Sequence, residues 1–167
     1  MVYLANSSGI KVGITRESQL PTRWIDQGAV QALPIFRVKT RQQSGMVEDM
    51  FRQHVADKTN WRTMLKGNIP PVDLPVMRDA LYEQCDLELQ QLEERYGIQA
   101  LQHINDVAPV DIEYPVLEHP TKVTSHNMDK NPLVEGTLLG IKGQYLILDT
   151  GVINIRKYTA YHVEINL

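Results

Sequence analysis

The chain has 167 residues, of which 43% are hydrophobic, and its formal net charge is -3. This length allows one domain or two small ones with a real core, and no run approaches the roughly 18 apolar residues of a membrane span. The N-terminus lacks a signal-peptide pattern, and the single cysteine, Cys85, excludes an internal disulfide and a cysteine-type zinc site. We therefore expect a cytoplasmic protein with no membrane partner.

The charge is distributed unevenly along the chain. Residues 1–70 carry 10 Lys or Arg and 5 Asp or Glu, residues 71–113 carry 2 and 10, and residues 114–167 carry 5 and 5. A polyanion such as DNA or RNA is therefore expected to bind to the first part. Ordinary solvated charge explains the basic part equally well, and it is the better interpretation of the acidic part.

The first sixty residues predict a small sheet with helices. The predicted elements are strands at 2–5 and 10–15, a short helix at 20–27, a strand at 33–40 and a helix from 41 to about 57. Pro21 in the first turn and Gly28 after the end support the short helix. Thr40 with Gln43 fits a capping box for the second helix. The expected core face of that helix comprises Val47, Met50, Phe51, His54 and Val55.

The middle of the chain predicts one long amphipathic helix. A proline-rich break at 67–75 precedes it, Asp73 is a plausible N-cap, and Gly97 ends it. Its apolar stripe comprises Leu74, Met77, Leu81, Cys85, Leu89, Leu92 and Tyr96. We expect a helix for packing or for forming a homodimer.

The last third predicts a β-rich subdomain. Residues 98–132 are irregular, with short strands expected at 112–117 and 122–124. From residue 133 onwards, apolar runs alternate with glycine turns, which is typical of a small barrel or curled sheet. The predicted fold class is α+β, with a small mixed three-stranded sheet flanked by helices, a long helix and a barrel-like end. The predicted divisions are 1–66, 67–111 and 112–167.

Several residues in the first module match a known pattern. They are Val2-Tyr3, Lys11-Val12-Gly13, Arg23, Glu48 and Asn60, placed on the predicted order of hairpin, helix, strand and helix. Over residues 2–61 the chain resembles the GIY-YIG endonuclease superfamily, in the branch whose second triplet reads lysine, hydrophobic residue, glycine.

A second resemblance covers nearly the whole chain. The segment GIKGQYLIL resembles a signature of an uncharacterised bacterial family, the domain of unknown function numbered 2797, which joins such a module to a β-rich tail. Longer members carry a cysteine-rich segment upstream. This sequence lacks that segment, which agrees with its abrupt start in a strand at Val2.

The first resemblance implies a site for cutting phosphodiester bonds with one divalent metal. It assigns catalytic roles to Tyr3, Lys11, Arg23 and Glu48, of which Glu48 would bind Mg²⁺. It assigns phosphate or substrate binding to Arg16 and Asn60. The chain departs from the superfamily at Lys11, where a tyrosine is usual, and at Gln27, where a histidine or tyrosine is common.

Elementary chemistry supports these roles and also offers simpler ones. Mg²⁺ takes one or two carboxylates together with substrate oxygens, and arginine offers a forked donor that fits phosphate. Tyrosine or lysine can take a proton if its pKa is lowered. The simpler interpretations are an exposed Glu48 paired with Arg52, a core Tyr3, an exposed Lys11 and a helix-capping Asn60.

Three functions are therefore in view. The first is metal-dependent phosphodiester hydrolysis on DNA or RNA, at an active or a degenerate site. The second is a nucleic-acid-binding module without catalysis on the same scaffold, which Lys11 and Gln27 favour. The third is an interaction or structural protein that dimerises through the long helix.

Overall fold

A computed structural model describes residues 1–56 and 58–166. Within these residues the fold is α+β, with five α-helices and two antiparallel sheets. The elements in chain order are β1 (Val2–Asn6), β2 (Ile10–Ile14), α1 (Thr22–Asp26), β3 (Gln31–Val38), α2 (Arg41–Phe51), α3 (Trp61–Leu65), α4 (Leu74–Gln84), α5 (Asp86–Tyr96), β4 (Leu101–His103), β5 (Val110–Asp111), β6 (Leu138–Lys142), β7 (Tyr145–Leu148) and β8 (Gly151–Asn154).

The first sheet has five strands in the order β2-β1-β3-β4, and β5 also pairs with β3. All of these pairings are antiparallel. The prediction of a mixed three-stranded sheet is therefore wrong in both respects. The two additional strands have only three and two residues, so they are too short to produce an alternating pattern.

The two faces of this sheet have different chemistry. Side chains alternate between the faces of a strand, and Tyr3 lies opposite Gly13 while Ala5 lies opposite Lys11. The face that carries Leu4 and Val12 packs into the main core. The other face packs around Tyr3 and the buried Trp24 of α1. A site can therefore form where this second face meets α1 and the edge strand β2.

Helix α2 begins as its sequence predicts. The Gln43 N–H donates to Thr40 Oγ1 at 3.2 Å, and the Thr40 N–H donates to Gln43 Oε1 at 3.0 Å, which confirms the capping box. The helix ends at Phe51, earlier than predicted, so His54 lies beyond it and is exposed. The expectation that His54 belongs to the core face is wrong.

The predicted long helix is two helices that meet at Cys85. The backbone of Cys85 (φ -110°, ψ 16°) leaves the helical region between α4 and α5. Leu74, Leu81, Cys85 and Leu89 are at most 4% exposed and belong to the core beneath the first sheet. The apolar stripe therefore packs within the chain.

The second sheet is a meander of β6, β7 and β8. Its core includes Met64 and Leu65 of α3, and the rings of Trp61 and Tyr145 stack with centroids 5.6 Å apart. Among the described residues the sheet stays open, so the expected barrel is not found. The domain divisions stay a prediction, although β4 and β5 join the first sheet.

The C-terminal part contacts the last turn of α1. The Tyr114 hydroxyl, which precedes the second sheet, donates to the carbonyls of Ile25 at 3.2 Å and Ala29 at 2.9 Å. Arg156 pairs with Asp26 at 3.0 Å. These contacts matter because α1 has five residues, and so short a helix is not stable alone.

Each helix in the described part of the chain is too short or too polar to cross a membrane.

Candidate functional site

A polar cleft of about 570 Å³ opens where β2, α1 and α2 meet. Five of the six predicted site residues line it, and Asn60 does not. The ionisable side chains in its wall are Tyr3, Lys11, Arg16, Arg23, Arg41 and Glu48. The cleft thus combines four basic side chains with one carboxylate and one phenol.

The regular elements explain why these residues meet. Adjacent antiparallel strands place Tyr3 beside Gly13 and put Lys11 on the same face. On α1, Arg23 and Gln27 are four residues apart and share a side of the helix. On α2, Glu48 is two turns from Arg41, so both can face the cleft.

Gly13 makes room for the ring of Tyr3. A Cβ atom at position 13 would lie 2.6 Å from both Cζ and Oη of Tyr3, which is far inside normal contact distance. Gly13 does not have a positive φ, so its role is steric and not conformational. Gly13 therefore marks a close approach of the Tyr3 ring to β2.

Tyr3 is buried, and its hydroxyl donates to Gln27 Oε1 at 3.2 Å. Burial raises the pKa of Tyr3, the Arg23 guanidinium offsets part of that rise, and the Glu48 carboxylate adds to it. Two charged groups of opposite sign therefore act on one hydroxyl. Because the pKa moves upwards, Tyr3 stays protonated at neutral pH and is a hydrogen-bond donor, not a base.

Lys11 is buried, contrary to its expected exposure. It is only 5% exposed, and the chain returns alongside β2, where Ala56 bridges to Lys11 and its carbonyl accepts a 2.9 Å hydrogen bond from the Val12 N–H. Lys11 has a further interaction partner. The Lys11 side chain is therefore a buried part of the cleft wall.

Asn60 has a different position. Its side chain accepts a hydrogen bond from the Thr63 N–H at 3.2 Å and so caps α3. Its own N–H donates to Ser8 Oγ at 2.8 Å. These contacts correspond to the simpler interpretation of Asn60 as a helix cap.

Arg41 is the cleft residue that the sequence analysis missed. It is exposed and occupies the first position of α2, directly after Thr40. Its spacing of seven residues from Glu48 was the available signal, since residues two turns apart share a helix face.

The donor set fits Mg²⁺. Among the described residues there is no group of three or more His, Cys, Asp or Glu side chains that could hold a metal. Mg²⁺ does not need such a cage, because it keeps several waters and combines one or two carboxylates with substrate phosphates. Glu48 is the carboxylate in the cleft wall, and the basic side chains around it favour phosphate.

The fold and the cleft define an α+β protein with an excess of positive charge in a cleft beside its antiparallel sheet. More particularly, the chain belongs to the family described as Protein of unknown function (DUF2797), whose family model matches residues 1–163. This confirms the family expected from the sequence. No curated protein and no solved structure matches the chain.

Proposed function

We propose that the chain hydrolyses phosphodiester bonds of nucleic acid in the cleft, and that residues 2–61 form a GIY-YIG-like module. One observation carries the proposal. Tyr3, Arg23 and Glu48 are far apart in sequence, lie on three different elements and line the same cleft. A phosphodiester is an anion, and the surrounding basic side chains provide the charge that attracts it.

Each residue has a role that follows from its environment. Arg23 is half-buried and provides a planar fork of donors for two phosphate oxygens. Arg16 is exposed and attracts the strand to the cleft. Lys11 adds a point charge from the buried wall. Tyr3 keeps its proton and donates a hydrogen bond to Gln27 Oε1, which fixes the Gln27 amide beside the bound phosphate.

Glu48 is the residue that would hold Mg²⁺. When bound, Mg²⁺ neutralises phosphate charge and lowers the pKa of a coordinated water. The protein then has to orient the phosphate, for which Arg23 and Tyr3 are placed.

The second candidate is a module that binds nucleic acid without cutting it. The hydrogen bond between Tyr3 and Gln27 favours it, because the amide of Gln27 cannot take a proton and the pKa of Tyr3 is raised. The third candidate, a dimer through the long helix, loses its structural support because Leu81, Cys85 and Leu89 are buried within the chain.

The test compares wild-type chain with Glu48→Gln. Glu94→Gln is the matched control, because Glu94 is an exposed residue of α5 outside the cleft. Single- and double-stranded DNA and RNA are incubated with Mg²⁺, with Mn²⁺ or with a chelator, and cleavage is followed on gels. Binding is measured separately.

The nuclease proposal expects metal-dependent cleavage that falls by at least about 100-fold in Glu48→Gln. Binding should persist in that variant, because the substitution removes a negative charge. Cleavage that is equal in wild type and Glu48→Gln would refute the site. Salt-dependent binding without cleavage would establish the second candidate, and neither activity would refute both.

A further inference from the structure

A second cleft adjoins the first. It has a volume of about 380 Å³ and is lined by residues from the ends of β2 and β3 and the start of α2. Arg16 and Arg41 belong to the walls of both clefts, as do Ile14 and Thr15. These shared residues therefore form a common wall between two neighbouring clefts.

Positive charge extends through both clefts. Together their walls carry six basic side chains and two acidic ones, and the second cleft contributes Arg37 and Lys39. Arg37 is paired with Glu17. No ion pair with any residue in 1–56 and 58–166 is formed by three other basic side chains, which are Arg16, Lys39 and Arg41. Three cationic side chains therefore lie along the route out of the proposed site.

The spacing of residues on α2 gives the distance between the cationic Arg41 and Glu48. Arg41, Ser44 and Glu48 follow a spacing of three and four residues, which places them on one face of the helix. Arg41 and Glu48 are about 10 Å apart along the axis, at 1.5 Å per residue. A stacked strand rises 3.4 Å per nucleotide, so this distance corresponds to about three nucleotides. A strand laid along this helix face would therefore bring different phosphates near Arg41 and Glu48.

We propose that the two clefts form one track for the backbone of a nucleic-acid strand, with Arg41 and Lys39 contacting phosphates away from the one at Glu48. This inference depends on the proposed function, and it adds that the substrate is a strand of several nucleotides. Charge complementarity selects this occupant, since a strand backbone is a polyanion and the walls of both clefts carry more basic than acidic side chains.

The experiment measures binding of fluorescein-labelled oligothymidylates by anisotropy, in a chelator so that no cleavage occurs. A dinucleotide is compared with a strand of about eight nucleotides, a length within the range of single-strand binding sites. The variants are Arg41→Gln and Lys39→Gln. Their matched controls are Arg95→Gln on α5 and Lys122→Gln in the preceding loop of the second sheet, both exposed and outside the clefts.

The wild-type chain should bind the longer strand more tightly than the dinucleotide. Arg41→Gln and Lys39→Gln should each lose roughly fivefold affinity for the longer strand, as for one lost hydrogen-bonded contact. Their salt slopes should fall by about 0.7, the value for one phosphate of a single strand. The dinucleotide affinity of Lys39→Gln and both affinities of the two control variants should not change.

Two results would overturn the inference in distinguishable ways. If the longer strand binds but Arg41→Gln and Lys39→Gln behave as their controls do, the track is refuted and the proposed function stands. If no oligonucleotide of either length binds, even at low salt, the proposed function fails and the track fails with it.

Discussion

The substitution Gly13→Ala tests whether the ring of Tyr3 is fixed beside β2. An alanine Cβ would lie 2.6 Å from Cζ and Oη of Tyr3 and 2.9 Å from Cε2. Carbon atoms pack at about 3.5–4.0 Å, so the ring would have to move by roughly 1 Å. Tyr3 is fully buried and its ring contacts Trp24 edge-on at 6.0 Å between centroids, so little space is available.

The expected loss of stability follows from this overpacking. Adding one methyl group to a packed core destabilises by about 1–3 kcal/mol. For a chain of this size, the melting temperature should fall by about 2–12 °C. The control is Gly45→Ala in α2, where nothing lies within 4 Å of the added Cβ. That change should raise the free energy of unfolding by about 0.5–1 kcal/mol, because alanine is the better helix former.

Urea unfolding followed by circular dichroism gives both values, and a double-mutant cycle identifies the contact. Tyr3→Leu removes the three atoms that the new Cβ would meet, so Gly13→Ala should lose its penalty in that background. A Gly13→Ala chain as stable as wild type would refute the reasoning. So would an equal penalty in the Tyr3→Leu background.

Other contacts give three more expectations, all measured by urea unfolding. Thr40→Ala should lower the free energy of unfolding by about 1 kcal/mol, since the Gln43 N–H loses its acceptor, and an unchanged value would contradict the cap. Tyr114→Phe should lower it by about 0.5–1.5 kcal/mol, because the one hydroxyl hydrogen shared by the Ile25 and Ala29 carbonyls is lost, whereas Tyr96→Phe should have no effect. Burial lowers the pKa of Lys142 below its ordinary 10.5, so the folded state releases that proton first. The free energy of unfolding of the wild type should therefore increase with pH just below 10.5, and this increase should be missing in Lys142→Met. The same pH dependence in both proteins would contradict the prediction.

The sequence predicted helix faces better than helix ends. Leu81, Cys85 and Leu89 recur every four residues, so the apolar period continues through the break between α4 and α5. Neither glycine nor proline marks that point. The break depends on how Cys85 is buried in the core, and such tertiary information is absent from a local pattern.

The site was predicted from a resemblance, and periodicity alone could not have found it. Arginine and glutamate are common on exposed helix surfaces, so Arg23 and Glu48 do not stand out when each is considered alone. Alternation along β2 correctly separates Lys11 from Val12, but it cannot foresee that the lysine is buried, because burial depends on parts of the chain distant in sequence. Arg41 was accessible to a search along the face of Glu48, once that residue had been placed on a helix.

The anchoring of α1 has a consequence for how the molecule can be divided. Arg23 and Gln27 sit on a five-residue helix or at its end, and Tyr114 and Arg156 hold that helix from outside the first module. The segments on either side of the second sheet thus stabilise the helix that carries the arginine. A fragment that contains only the first sheet and α2 would keep Glu48 but would no longer fix the position of Arg23. Weak activity in such a fragment would then result from a misplaced arginine and not from a missing catalytic group.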